Sequence, residues 1–344
     1  MLQWDGMWRE IFKNNKITVT YNLNPTPPQK PLKKEPKEME DLKPVMIASK
    51  KEEGLEPHTK GVFQSRDKTS IYYEVYGEGK SLLMCYGLVC RREHWRHQLA
   101  YFAKKYKVIL FDYRGHSFSG RPANDRHLTL EWCANDIQDL LNYLKVTEVV
   151  GLGHSMGVGI LTRVVLLEKL KFKAIIFICG TVNNPFEQMF YSDRMNRVHR
   201  LTTMLFDLMP GTVSTLWHRF TKNNLFNFIL TSHLGFNAEK SHEKDVNSYI
   251  EGVNQIPFSI FHALIDDYTR FDGKGYLKQI ECPALVIAGD KDVITPTPVQ
   301  EEMAASLAEA EMHFIPEGSH NTHIDFPEEV NGKIEMFLEK IGYR

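Results

Sequence analysis

The feature that most constrains the fold of this chain is an alternation of short apolar runs with segments of helical length. Runs that are apolar throughout are typical of strands buried on both faces, so the pattern predicts an α/β protein with a mostly parallel sheet flanked by helices. The predicted strands are 70–76, 81–86, 107–112, 148–153, 173–179, 284–289 and 311–315. The predicted helices are 93–105, 130–144, 156–169, 297–309 and 327–340.

The alternation stops between residues 181 and 275, where the pattern is helical and rich in Phe, Met, Leu and Trp. We predict that 181–275 is a helical cap inserted between two strands of a core formed by 61–180 and 276–344. The apolar side chains of the cap hold its helices together, and as a set they also supply side chains to line a pocket. This set is Phe186, Met189, Phe190, Met195, Met204, Leu205, Phe206, Leu208, Met209, Trp217, Phe220, Phe226, Phe228 and Ile229.

Residues 1–60 have a different composition from the rest of the chain. Prolines mixed with Lys and Glu recur through 22–60, which predicts an extended tether that buries little. Within 1–15, Trp4, Met7, Trp8, Ile11 and Phe12 are spaced as on one face of a helix. Such a helix either packs on the protein's own surface or contacts a membrane or another protein. Its polar face carries few Lys and Arg, which favours packing on the protein's own surface.

The balance of charges and the pattern of cysteines restrict the kinds of partner and the cellular compartment that we predict. The 42 Lys and Arg nearly balance the 43 Asp and Glu, so no basic excess is available for nucleic acid. The five cysteines are scattered, which argues against a disulfide framework or a zinc site. No apolar run is long enough to span a bilayer, and Asp5, Arg9 and Glu10 interrupt any signal-peptide core. We predict a cytoplasmic protein, with membrane association through 1–15 as the alternative and no prediction of oligomeric state.

The segment Gly153-His154-Ser155-Met156-Gly157 fits the pattern G-x-S-x-G. It lies between a predicted strand and a predicted helix, which is the context that makes this motif informative. Small residues on either side allow a sharp turn that exposes the Ser155 hydroxyl as a nucleophile. The backbone N–H of Met156 would then lie at a helix N-terminus, where it can stabilise an oxyanion.

A serine nucleophile needs a base, and the base needs an acid that orients it. In a parallel sheet the carboxyl ends of the strands meet at one edge, where the partners should follow in the order acid, then histidine. Asp292 follows the predicted strand 284–289, and His320 follows 311–315. We therefore predict a catalytic triad of Ser155, His320 and Asp292.

On these motifs, residues 61–344 resemble the α/β-hydrolase superfamily with a helical cap. In that family the acid belongs to a G-x-x-D segment, here Gly289 to Asp292, which implies Asp292 rather than Asp290. Asp290 is then a turn or helix-cap residue. The family histidine follows a small residue and precedes a Pro-Glu-Glu helix start, which implies His320 and leaves His323 to pack on its loop. The segment 111–117 resembles a further family motif, in which Asp112 and Arg114 would have structural roles.

One departure from the family lies after the strand 81–86. The usual His-Gly is replaced by Tyr86-Gly87, followed by Leu88, whose backbone N–H is the predicted second oxyanion donor. Gly87 still permits the tight turn. Tyr86 either fills the structural place of the histidine or places its hydroxyl at the oxyanion. Tyr86, Gly87 and His154 are the expected substrate contacts.

The resemblance and the serine nucleophile together imply a carboxylic-ester hydrolase or a related acyl hydrolase with a small-molecule substrate. The apolar cap favours a hydrophobic acyl group. No metal or organic cofactor is implied, because the His94 and His97 pair has no evident third ligand. Three alternatives remain: an acyltransferase with the same triad, a ligand-binding protein of negligible turnover, and a tethered scaffold. The complete Ser, Asp and His set argues against the scaffold.

Overall fold

One eight-stranded sheet organises the protein. The computed structural model describes residues 55–167, 171–222, 228 and 231–344, so the predictions for 1–15 and for the tether up to residue 54 lie outside the described residues. The strands follow the spatial order β1-β2-β4-β3-β5-β6-β7-β8. They are β1 Thr59–Gln64, β2 Ser70–Tyr76, β3 Ser81–Cys85, β4 Lys107–Phe111, β5 Glu148–His154, β6 Lys171–Ile178, β7 Ala284–Gly289 and β8 Ala310–Ile315.

The pairing within this sheet is antiparallel at one side and parallel elsewhere. Strand β1 pairs with β2 and β2 with β4 in antiparallel fashion, and the other five pairs are parallel. The predicted α/β class with a mostly parallel sheet is therefore confirmed. Strands β3 and β7 are buried along their whole length, which explains their uninterrupted apolar sequences.

Strand β1 was not predicted from the sequence. It is the outer strand of the antiparallel side, and Phe63 is its one buried residue. A strand that buries a single side chain carries neither an apolar run nor a clear alternation, so the pattern contains no signal for it. The ordered core consequently begins at Thr59 or slightly earlier, within the segment that the sequence assigns to the tether.

Helices cover the sheet and form the insertion after β6. They are α1 Arg96–Phe102, α2 Leu130–Tyr143, α3 Met156–Val165, α4 Arg194–Leu208, α5 Pro210–Thr221, α6 Glu243–Gln255, α7 Phe258–Thr269, α8 Lys274–Leu277, α9 Thr297–Ser306, α10 Thr322–Asp325 and α11 Pro327–Lys340. Helices α4 to α7 lie in the chain between β6 and β7 and correspond to the predicted cap. Among the helices described, none combines the length and apolarity needed to cross a bilayer.

The register of the parallel strands brings four loops to one edge of the sheet. Cys85 at the end of β3 is level with Gly153 near the end of β5. Gly289 at the end of β7 is level with Ile315 at the end of β8. The loops that follow these four strands carry the predicted site residues, and this edge is where open α/β sheets bind ligands.

Candidate active site

Ser155 occupies a strained turn between β5 and α3. Its φ of 54° and ψ of −122° lie outside the regions that a residue with a side chain prefers, at a cost of about 1–3 kcal/mol. Two glycines make the turn possible. A Cβ atom at Gly153 would lie 2.8 Å from the Gly157 carbonyl oxygen, and one at Gly157 would overlap the Cys85 carbonyl. The close approach of these backbones therefore requires glycine on both sides of the serine.

The three predicted triad residues form one continuous hydrogen-bonded chain. His320 Nε2 lies 3.0 Å from Ser155 Oγ, and His320 Nδ1 lies 3.0 Å from Asp292 Oδ2. The carboxylate is fully buried, and the imidazole is 7% exposed. These contacts join residues 165 and 28 positions apart in the sequence. The geometry is that of a hydroxyl, a base and an orienting acid.

The Asp292 carboxylate is fixed by its own loop. It accepts hydrogen bonds from the backbone N–H groups of Ile294 and Thr295, at 2.8 and 2.9 Å, and from the Thr295 hydroxyl at 2.7 Å. Thr295 Oγ1 also lies 3.5 Å from His320 Nδ1. Sequence analysis did not single out Thr295; a hydroxyl residue three positions after a loop aspartate was the available signal.

The two competitors for triad roles lie elsewhere. Asp290 is exposed in the turn after β7, and its backbone N–H donates to the Ile315 carbonyl at the end of β8. The His323 ring is completely buried against Trp95 and His154, with ring centroids 4.9 and 4.4 Å apart. Neither of its ring nitrogens has a hydrogen-bond partner within the described part of the chain. Both residues therefore have packing or turn roles in this structure.

The predicted oxyanion donors flank Ser155. Met156 is the first residue of α3, and N–H groups in a first helical turn have no carbonyl partner within the helix. On the other side, a Cβ atom at Gly87 would lie 3.0 Å from Ser155 Cβ, so the backbone before Leu88 touches the nucleophile. The Cys90 N–H donates to the Gly87 carbonyl at 3.1 Å and closes this turn. Both peptide segments thus lie next to Ser155.

Tyr86 is held below the surface rather than presented to a substrate. Its side chain is fully buried, and its hydroxyl accepts a hydrogen bond from the Tyr113 N–H at 2.9 Å. The same hydroxyl lies 3.4 Å from Asp112 Oδ1. Burial raises the pKa of Tyr86 well above its ordinary value, and the nearby Asp112 acts in the same direction. Of the two roles left open for Tyr86, this placement corresponds to the structural one.

His154 is also buried, where the sequence predicts a substrate contact. Its Nε2 donates to the backbone carbonyl of His320 at 2.9 Å. Burial lowers the pKa of His154 well below its ordinary value, and the neighbouring His320 and His94 lower it further. A neutral ring that donates from Nε2 therefore supports the peptide that carries His320.

Three buried histidines pack together beside the triad. The His154 ring centroid lies 6.3 Å from that of His94 and 4.4 Å from that of His323. Burial lowers the pKa of His94 to about 3 and that of His323 well below its ordinary value. The cluster consequently consists of neutral imidazoles at ordinary pH. Among the described residues, no three His, Cys, Asp or Glu side chains are arranged to hold a metal ion.

Asp112 and Arg114 have structural partners, but they do not pair with each other. Asp112 forms a buried ion pair with Arg92, and it accepts a hydrogen bond from the Phe118 N–H at 3.1 Å. Burial raises the pKa of Asp112 to about 6, against the opposing effect of Arg92. Arg114 instead binds Asp136 at 2.6 Å. Arg114 also binds Asp67 at 3.0 Å, so the two residues of the motif belong to separate groups of ion pairs.

The basic loop after Gly87 is tied to the cap. Arg91 binds Glu251 at 3.0 Å, and Arg96 binds Asp245 at 2.7 Å, with both acids on α6. His97 Nε2 lies 3.7 Å from the same Asp245. A Cβ atom at Gly252 would lie 2.5 Å from the Val89 carbonyl oxygen, so α6 approaches the loop backbone closely. Arg91 of this loop and Arg96 at the start of α1 therefore contact the cap, whereas Arg92 pairs with Asp112 and Glu74 instead.

Only some of the predicted cap side chains face inward. Phe206 packs on Phe258, and Trp217 packs on Phe261, with ring centroids 5.0 and 4.8 Å apart. In contrast, Met204, Leu205, Leu208 and Met209 are exposed to solvent. Phe220 is 46% exposed as well, so the expectation of inward packing or pocket lining does not hold for these five members of the set. Phe226 and Ile229 lie outside the described residues.

Comparison with known proteins identifies the family. A model described as the alpha/beta hydrolase fold matches residues 80–327. This match covers well over half of the chain, and the strand order and the turn at Ser155 agree with it. The protein therefore belongs to the α/β-hydrolase fold family, and the predicted resemblance is confirmed.

Relatives that match about four fifths of this chain include hydrolases. The (E)-2-((N-methylformamido)methylene)succinate hydrolase of Acinetobacter baylyi is 26% identical over 277 residues, covering 80% of this chain and 96% of that protein. A non-heme chloroperoxidase of Kitasatospora aureofaciens is 26% identical over 283 residues, with coverages of 80% and 98%. The structure of a thermophilic esterase from Thermogutta terrifontis superposes with a TM-score of 0.66 at 20% identity, covering 82% and 99%. At that identity the last comparison shows the fold alone.

Proposed function

We propose that this protein is a serine hydrolase that cleaves carboxylic esters or related acyl compounds through an acyl-enzyme. The observation that carries the proposal is the unbroken chain from Ser155 Oγ through the His320 ring to the buried Asp292 carboxylate. Hydrolase relatives that match nearly the full catalytic domain support the same class of reaction.

In the first half of the proposed reaction, Ser155 Oγ attacks the substrate carbonyl carbon while His320 Nε2 takes its proton. Asp292 keeps Nδ1 of the imidazole protonated and stabilises the imidazolium. His320 then gives the proton to the leaving alcohol as the carbon–oxygen bond breaks. In the second half, water takes the place of the departed alcohol, and its oxygen attacks the acyl carbon while His320 removes a proton from it. His320 then returns this proton to Ser155 Oγ as the acyl–serine bond breaks and the carboxylic acid leaves.

The oxyanion of each tetrahedral intermediate would be held by the N–H groups of Met156 and Leu88. Removing one well-placed donor of this kind costs about 3–4 kcal/mol of transition-state stabilisation in other enzymes. The close contact of Gly87 with Ser155 supports this assignment, because it sets the following peptide beside the nucleophile. Backbone donors do not depend on the side chain, which explains how Leu88 can serve.

The serine also distinguishes this proposal from other chemistry of the fold. Opening an epoxide or displacing a halide through a covalent ester requires a carboxylate nucleophile, whereas a serine hydroxyl forms an acyl ester with a carbonyl substrate. Leu88 and Val89 are partly buried apolar side chains in the loop beside Ser155. They support a substrate with an apolar acyl group.

The test is hydrolysis of p-nitrophenyl esters of graded acyl chain length by the wild type and by Ser155→Ala. Loss of the nucleophile should lower kcat on the order of 10⁶-fold. The matched control is Ser306→Ala on α9, which should retain full activity. Mass spectrometry after treatment with a fluorophosphonate should place the label on Ser155. Undiminished hydrolysis by Ser155→Ala would overturn the proposal.

A further inference from the structure

Helix α4 of the cap presents an apolar face to solvent. Val198, Leu201, Met204 and Leu208 are between 50% and 70% exposed, and Leu205 is 36% exposed. Their spacing of three or four residues places these five side chains, here called the α4 stripe, along one side of the helix. Met209, which follows the helix, is also exposed. Contiguous exposed apolar surfaces of this kind mark interaction sites.

The opposite side of α4 is largely polar, although it faces the protein. Asn196 accepts a hydrogen bond from Asn184 at 2.9 Å, and His199 lies 3.5 Å from Asp266. Thr203 Oγ1 lies 3.1 Å from His262 Nε2. A helix in a water-soluble domain ordinarily turns its apolar stripe toward the core. The reversed arrangement of α4 therefore points to an apolar environment on its outer side.

Cations accompany the α4 stripe. Arg194 and Arg197 precede Val198 and Leu201 by four residues, so the two arginines lie on the same side of the helix as the α4 stripe. Arg197 contacts Asp193 at 3.3 Å. Residues 193–222 contain five Lys or Arg and two Asp, an excess of three positive charges in a chain whose formal net charge is −1. An apolar face bordered by basic side chains is typical of helices that lie in the surface of an anionic membrane.

The charge on the α4 stripe favours an anionic membrane over two other binding partners, a second copy of the chain and the N-terminal segment 1–15. Because a two-fold interface presents the same surface twice, a second copy covering the stripe would add a second Arg194 and Arg197 to the interface rather than acidic groups that neutralise them. The N-terminal segment 1–15 offers no complementary charge, because Asp5 and Glu10 are balanced by Arg9 and Lys13. An anionic lipid surface supplies both an apolar layer and negative headgroups.

We propose that the α4 stripe docks the protein on a membrane surface rich in anionic phospholipid. The helix lies in the plane of the interface, with the five apolar side chains among the acyl chains and Arg194 and Arg197 at the phosphates. The proposal concerns attachment to a surface and does not depend on the reaction carried out by Ser155.

The experiment is flotation of the full-length protein with two kinds of vesicle. One kind is pure phosphatidylcholine, and the other contains equal parts phosphatidylcholine and phosphatidylglycerol. We expect binding to the anionic vesicles that weakens at high salt. The double variant Val198→Asp and Leu201→Asp should bind at least about tenfold less. The matched control is Leu55→Asp with Met336→Asp, which changes two equally exposed apolar side chains elsewhere and should bind like the wild type.

Circular dichroism and the Tm of each variant establish whether it is folded. A second double variant, Trp4→Asp with Trp8→Asp, tests whether the N-terminal segment contributes to vesicle binding. The proposal is overturned if the wild type fails to bind anionic vesicles, or if the α4 variant binds as the wild type does. It is also overturned if sedimentation without lipid shows a dimer that the α4 variant abolishes, since the stripe would then contact a second copy.

Discussion

His154 holds the backbone carbonyl of His320. The 2.9 Å hydrogen bond from His154 Nε2 reaches this carbonyl, and the His320 ring bonds Ser155 and Asp292. The residue next to Ser155 in the sequence therefore fixes the peptide of His320, 166 residues away. A hydrogen bond between buried groups is costly to leave unmade, because the abandoned carbonyl remains desolvated.

Replacing His154 by Phe should therefore reduce kcat more than it raises KM. The ring volume is kept, but the carbonyl of His320 loses its donor and the base becomes less well placed. We expect a fall in kcat of about tenfold, from a loss near 1.4 kcal/mol in positioning the base. His323→Phe is the matched control, because that ring is equally buried and makes no hydrogen bond within the described residues. Equal effects of the two substitutions on kcat would show that His154 acts through packing alone.

Asp292→Asn should lower kcat about 10⁴-fold, because the amide favours the wrong imidazole tautomer. Steady-state kinetics on the best p-nitrophenyl ester measures this effect. Asp290→Asn changes the exposed neighbour in the same loop and should leave kcat within about twofold of the wild type. A larger loss at position 290 than at 292 would reverse the assignment of the acid.

Tyr86→Phe separates the two roles considered for this tyrosine. The variant leaves the buried N–H of Tyr113 without its acceptor, which should lower the free energy of unfolding by about 1–3 kcal/mol. Because the hydroxyl is held by Tyr113 and Asp112, kcat should change by no more than a few-fold. Urea unfolding and ester hydrolysis measure the two quantities. A loss of kcat on the order of 10²-fold, with stability unchanged, would instead indicate that the hydroxyl contacts the oxyanion.

Stability should fall as the pH is lowered from 7 toward 4. Burial lowers the pKa of His94 to about 3 and of His116 to about 4, and that of His323 well below its ordinary value. Between about pH 6.5 and these values the unfolded chain binds protons that the folded chain does not, which favours unfolding. Each such histidine contributes a slope of about 1.4 kcal/mol per pH unit in this range.

Asp112 acts in the opposite direction. Because burial raises its pKa to about 6, the folded state binds a proton more readily than the unfolded state between about pH 4 and 6. Burial also raises the pKa values of Asp136 and Asp325, which act as Asp112 does. Burial lowers the pKa of a larger number of groups, so the net effect remains a loss of stability with falling pH; these are His94, His116, His154, His199, His262 and His323. Urea unfolding at pH 7 and pH 5 measures it. His323→Phe should show a shallower pH dependence, and an unchanged slope would contradict this account.

The sequence predicted the fold class and the family because both depend on local patterns. The apolar runs of β3 and β7 and the turn around Ser155 are each contained in a few consecutive residues. The positions of Asp292 and His320 were predictable for a related reason, since both follow strands whose carboxyl ends share an edge. The structure brings all three within hydrogen-bond distance, while their catalytic roles remain predictions.

What the sequence did not predict depends on contacts between distant segments. The roles of His154 and Tyr86 follow from hydrogen bonds to backbone groups of other loops, which no spacing rule describes. The same holds for Arg91 and Arg96, because the sequence alone does not show that their acidic partners lie on α6 in the cap. The solvent exposure of Leu201 and Leu208 was not predictable from the sequence either, because an apolar residue in a helix is ordinarily expected to face the core.

The contact between Gly252 and Val89 joins helix α6 of the cap to the loop beside Ser155. Helix α6 rests on the backbone of the loop that presents Leu88 to the nucleophile, and the ion pairs of Arg91 and Arg96 fasten the two together. Any displacement of α6 would therefore strain or break these ties and would move the backbone beside Ser155. If Leu88 is the proposed oxyanion donor, the return of α6 would restore that donor, and closure of the cap and assembly of the proposed site would then be a single step.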